Sequence, residues 1–93
     1  MSEKIRKRFC FHGRVQGVGF RWTCIHEAMS LGLTGWVRNE RDQTVIVEVQ
    51  GDQNSINNLI SFMKKDRYIR IDWVDEEDLA TENNESSFTV RYR

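Results

Sequence analysis

The chain has no proline, only two cysteines, no net charge and no long apolar run, and each shortage removes a class of protein. Without proline, repeats, low-complexity tracts or linker-like composition, nothing in the 93 residues marks a domain boundary. The length suits one modest core, so the expectation is a single domain over residues 1–93 with one site. Fourteen basic side chains are matched by fourteen acidic ones, leaving no global field to gather nucleic acid or an anionic membrane. Any anion must be captured locally. No stretch reaches the apolar length of a membrane span, and the N-terminal MSEKIRKRF lacks the apolar segment of a secretion signal, so the expected location is the cytoplasm. Cys10 and Cys24 are too few for a disulfide scaffold and lack the close spacing of a zinc or redox pair. They read as buried thiols in a reducing compartment, with a single bridge between them left open.

What is present is a clear succession of periodicities. In KIRKRFCFHG, Phe9 and Phe11 fall on one side of an extended segment and Arg8, Cys10 and His12 on the other, giving a first strand that ends near Arg14. Phe20, Cys24, Ala28 and Leu31 recur at helical spacing, and Gly32 stands where a C-terminal cap belongs. Two β-rich runs, Leu33 to Asn39 and Thr44 to Gln50, flank the polar turn Glu40-Arg41-Asp42-Gln43 and predict a hairpin. Asp52 is placed to cap a second helix carrying Ile56, Leu59, Ile60 and Met63, with Lys64 and Lys65 at its negative end. Alternation returns in Ile69, Ile71 and Trp73 and again in Phe88, Val90 and Tyr92, with DEEDLATENNESS read as the turn between two closing strands. The order predicts an α+β, ferredoxin-like split βαβ sandwich: two helices on one face of a mainly antiparallel sheet, with an extra C-terminal strand. Such a fold hosts many functions and decides none of them.

The chemistry concentrates in GRVQGVGFR, residues 13 to 21. Glycine permits positive φ and close approach to the backbone, so successive amides of VQGVG can turn inward as a concave set of donors suited to an anion. The loop runs directly into the first helix, whose leading amides are unpaired and whose dipole is positive at that end. Arg21 falls in the first turn, where a cation disfavours the helix by about 0.3–1 kcal/mol unless an anion binds beside it. The pattern matches neither GxxxxGK[ST] nor GxGxxG, which argues against large nucleotides.

GRVQGVGFR followed by GWVRN, with Val45 and Gly51 of TVIVEVQG after it, resembles the acylphosphatase family over nearly the whole chain. The resemblance implies a metal-independent, cofactor-free enzyme that hydrolyses small acyl phosphates to a carboxylate and inorganic phosphate. It implies Arg21 as the phosphate-binding arginine and Asn39 as the residue that orients the attacking water. Gln16, Gly17, Val18, Gly19 and Phe20 match the cradle whose amides hold the phosphate. A monomer is expected, with the small acyl phosphate as partner and neither nucleic acid nor membrane. Another reading keeps the cradle without turnover, as a module binding a small anion or carbamoyl phosphate. RNA binding on an open sheet face lacks its basic and aromatic signature.

Other residues carry blander expectations. His12 and His26 have no paired ligand pattern and read as surface or supporting residues. Trp22, Trp36 and Trp73 are assigned chiefly to the core, with Phe20 as a loop anchor. The acidic DEEDLATENNES lacks the ligand order of a calcium loop and reads as solvated surface. Gln43 stands where relatives carry a hairpin glycine, so a positive φ there stores strain of about 1 kcal/mol.

Arginine presents a planar fork matched to phosphate oxygens, whereas lysine is a point charge. Arg21→Lys is therefore expected to lower kcat/KM on an acyl phosphate by roughly 10–100-fold, the value of about 1.5–3 kcal/mol for hydrogen bonds to a charged group, as steady-state phosphate release would show.

Overall fold

Side-chain alternation along the strands decides which face of the sheet each residue meets. The computed structural model describes residues 3–92. Its elements are β1 (Ile5–Arg14), α1 (Phe20–Ser30), β2 (Thr34–Asn39), β3 (Val45–Gly51), α2 (Gln53–Lys65), β4 (Arg70–Leu79) and β5 (Phe88–Val90). They form one five-stranded sheet in the order β4-β1-β3-β2-β5. β1 pairs antiparallel with β3 and β4, β2 antiparallel with β3, and β5 parallel with β2. This is the expected split βαβ architecture with its added strand.

The register aligns Phe9 with Val47, Phe11 with Val45, Val37 with Val47 and Gly35 with Val49, so one face is a continuous valine and phenylalanine surface. Onto it pack Phe20, Cys24 and Ala28 of α1 and Ile56, Leu59 and Met63 of α2, all buried in one apolar cluster. Asp52 caps α2 by accepting from Ser55 N–H at 2.9 Å, and Lys64 and Lys65 occupy its last turn, as expected. α1 ends in a Schellman motif: Gly32, with φ 72°, donates to Met29 O at 3.1 Å and Leu33 donates to Ala28 O at 2.9 Å. Among the described residues, no helix is long and apolar enough to cross a membrane.

Three expectations need correction. DEEDL is not turn but the second half of β4, paired residue by residue with β1. The connection from β4 to β5 starts only at Ala80, and the strand order obliges it to link opposite edges of the sheet. It is pinned on the face away from the helices, where the fully buried Arg6 donates to Glu48 Oε1 at 3.1 Å and to Glu85 Oε1 at 2.8 Å. Gln50 Oε1 accepts from Glu82 N–H at 2.8 Å. The acidic segment is thus partly structural; its glutamates neutralise a buried guanidinium. Burial opposes ionisation of the Glu85 carboxyl, but its hydrogen bonds from Arg6 and Thr34 prevail and lower its pKa.

The second correction concerns β4, where a register shift between His12 and Gly13 breaks the alternation read from Ile69, Ile71 and Trp73. Ile71 and Val74 pack against the core, while Trp73 turns to the opposite face and stacks on His12. The third concerns the tryptophans: Trp22 and Trp73 are exposed, and only Trp36 is buried, beneath the guanidinium groups of Arg38 and Arg91 rather than in the apolar cluster. The two cysteines are free thiols on opposite sides of the sheet, Cys24 in the core and Cys10 in the row of Arg8 and His12.

The β2–β3 turn holds Gln43 at φ 76°, tied by Gln43 N–H to Glu40 O at 3.3 Å and by Asp42 Oδ1, which accepts from Thr44 N–H at 3.1 Å. Gln43→Gly relieves about 1–2 kcal/mol of left-handed strain and adds about 0.5–1 kcal/mol of unfolded-chain entropy. A net stabilisation of roughly 0.5 kcal/mol at unchanged m is expected in urea unfolding.

Candidate active site

The path of the chain from β1 into α1 is set by two glycines. Gly17 and Gly19 have φ 72° and 81°, left-handed values that side-chain-bearing residues adopt at a cost, and no atom crowds the position of a Cβ at either. Conformation, not space, therefore selects glycine here. Gly19 is the N-cap of α1 and has no side chain to satisfy the helix's first amides. The helical ladder starts with Thr23 N–H donating to Gly19 O at 3.0 Å. Among the described residues, the amides of Gly17 to Trp22 meet no acceptor within the chain. The first turn holds no acidic residue, and Arg21 has no carboxylate within ion-pairing distance among the described residues. A helix N-terminus and a guanidinium thus share one spot with no counter-charge among the described residues.

The loop is tethered through Gln16, whose Nε2 donates to Glu40 O at 2.7 Å and Thr44 O at 2.9 Å. These carbonyls flank the hairpin turn, so the side chain of Gln16 fixes the cradle to β2 and β3. Phe20 is buried, its ring 5.0 Å from that of Phe11, and anchors the other end of the loop in the core as anticipated.

Register brings the remaining group. Asn39 lies opposite Val45 and Val45 opposite Phe11, so β2 ends at the edge of the sheet where β1 enters the loop. A cleft of about 280 Å³ is lined there by Gln16, Gly17, Gly19, Phe20, Arg21 and Asn39. Val18 alone of the expected cradle residues does not line it; its side chain packs against the apolar cluster. Asn39 Oδ1 is buried and has no hydrogen-bond donor among the described residues. A buried carbonyl oxygen without a donor is rare in a native fold and marks a place for a water or ligand.

Arg91 and Tyr92 were not legible as site residues. β5 runs parallel to β2, and Arg91 N–H donates to Val37 O at 2.9 Å, extending that pairing to the edge where Asn39 sits. A second depression, bounded by Arg21, Asn39, Arg91 and Tyr92, adjoins the first. The guanidinium of Arg21 lies 5.7 Å from the Tyr92 ring centroid. Exposed Trp22 forms another wall of the main cleft, its ring centroid 4.1 Å from that of His26 with the planes tilted by 40°. Neither lining includes a carboxylate, imidazole or thiol.

Comparison with known proteins bears on the family and the fold. The acylphosphatase family model matches residues 7–90. The chain belongs to the acylphosphatase family. It is 46% identical over 85 residues to an acylphosphatase of Koribacter versatilis, covering 90% of this chain and 77% of that protein. It is 42% identical over 87 residues to an acylphosphatase of Clostridium perfringens, covering 92% and 98%. The crystal structure of acylphosphatase from Bacillus subtilis superposes with a TM-score of 0.87 at 27% identity, covering 95% of this chain and 99% of that one.

Inorganic phosphate is expected to shift the amide resonances of Gly17 to Trp22 and to raise the melting temperature, a ligand at 100 times its Kd adding about 2.7 kcal/mol. Arg21→Ala should remove both responses, as heteronuclear NMR and thermal unfolding would show.

Proposed function

We propose that this acylphosphatase-family chain hydrolyses the carboxyl–phosphate bond of small acyl phosphates, releasing a carboxylate and inorganic phosphate. The observation that carries the reading is the orphaned Oδ1 of Asn39 in the same cleft as Arg21 and the unpaired amides. The amides of Gly17 to Phe20 and the Arg21 guanidinium hold the phosphoryl oxygens, where charge is spread in the transition state. Arg91, which lines the neighbouring depression together with Arg21 and Asn39, adds positive potential there. Asn39 cannot remove a proton, but its Oδ1 accepts a hydrogen bond from a water and so fixes it for in-line attack on phosphorus.

The water oxygen bonds to phosphorus as the bond from phosphorus to the acyl oxygen breaks, and that electron pair leaves with the carboxylate. A carboxylate whose acid has a pKa around 4 departs without protonation, so no general acid is required. The water proton passes to a phosphoryl oxygen of the substrate, since among the described residues the cleft lining supplies no carboxylate or imidazole as base. In this reading residues 1–93 act as one domain and as a cytoplasmic monomer.

Phosphate release from benzoyl phosphate in the presence of chelator tests the proposal. Turnover is expected to persist in chelator, and Arg21→Ala and Asn39→Ala are each expected to lower kcat/KM by roughly 10²–10³-fold. Wild-type activity no greater than that of Arg21→Ala sinks the enzyme reading, and phosphate binding without turnover supports an anion-binding module instead.

A further inference from the structure

We propose that Cys10, His12 and Asp75 form a binding site for Zn²⁺ on the sheet face away from the helices, separate from the acyl phosphate cleft. Cys10 and His12 are two apart on β1 and project to one face, and Asp75 of β4 lies directly opposite Cys10. The ligand atoms, Sγ, an imidazole nitrogen and a carboxylate oxygen, all lie within 4.8 Å of one another. His12 Nε2 is 2.8 Å from Asp75 Oδ2. The plane of the imidazole is held by Trp73, stacked with centroids 4.1 Å apart and 13° between the rings.

The donor set identifies the ion. Sulfur, nitrogen and oxygen together suit Zn²⁺, whereas Mg²⁺ and Ca²⁺ take oxygen ligands. Zinc bonds of about 2.0–2.3 Å require the three groups to rearrange around the ion: the His12–Asp75 contact of 2.8 Å gives way to two metal bonds, for which the exposed Asp75 side chain has room to rotate. A shallow depression lined by Arg8, Cys10, Asp75 and Glu77 leaves room for a water as fourth ligand. Arg8, the cation in that lining, does not compete, because it is engaged by Glu48 Oε2 at 2.7 and 3.0 Å. Bound zinc would tie the edge strand β4 to β1 beside the irregularity at His12 and Gly13.

The full chain, metal-free and reduced, is titrated with ZnCl₂ by calorimetry and with CoCl₂ by absorbance. One equivalent of Zn²⁺ and a thiolate-to-cobalt charge-transfer band are expected. Cys10→Ser should abolish the band, while His12→Ala and Asp75→Asn should weaken zinc binding beyond the roughly 10–100-fold typical of outer-shell changes. His26→Ala should leave binding unchanged. In the wild-type chain Zn²⁺ should also slow alkylation of Cys10, a readout independent of whether any variant folds. No cobalt band, unaltered zinc affinity in Cys10→Ser, or alkylation of Cys10 at the same rate with and without Zn²⁺ overturns the proposal.

Discussion

Backbone amides that the described residues leave without acceptors at the start of α1 set the terms for everything around them. A helix always begins with unpaired N–H groups, and most helices cap them with a serine, threonine or aspartate. α2 does this with Asp52, whereas α1 begins at a left-handed glycine with no capping side chain and no acid in its first turn. The adjacent Arg21 adds a full charge of the same sign. Such a concentration of donors is stable only beside water or an anion, and a tetrahedral oxyanion meets it best because several oxygens can accept at once.

The surrounding structure keeps this arrangement in place. Phe20 holds the loop from the core side, and the carboxamide of Gln16 holds it from the hairpin side by bonding two backbone carbonyls. Asn39 is delivered by the antiparallel register of β2 on β3, with its Oδ1 buried and unmatched. Loop, helix terminus and carboxamide come from three elements with separate folding requirements. A shift of one residue in the register would turn Asn39 to the other face of the sheet.

On the opposite face, Arg6 performs a comparable organising role. β4 and β5 occupy opposite edges, so their connection has to be fastened where it joins the sheet. Arg6, engaged by Glu48, Gln50 and Glu85, supplies the fastening. Leaving so deeply buried a guanidinium without its carboxylates would cost about 3–5 kcal/mol. Because the connection is held, β5 can pair with β2, and Arg91 and Tyr92 reach the cleft.

Much of this was legible in the residues themselves. Apolar periodicity determined the helices and most strands, since the spacing of Ile56, Leu59 and Met63 or of Phe9 and Phe11 allows only one element to bury them together. The glycine loop and the cation beside it were readable from local backbone freedom and charge at a helix start, whereas Asn39 was marked only by the resemblance to the acylphosphatase family. The tertiary structure alone decided the course of β4, where an irregularity at His12 and Gly13 reverses the facing of Trp73 and where regular pairing with β1 carries the strand on through an acidic stretch that resembles a turn. It also decided the burial of Arg6, the exposure of Trp22 and the arrival of Arg91 and Tyr92 at the cleft. These depend on pairings between residues distant in the chain, and no local pattern records a partner that only the closed sheet brings near.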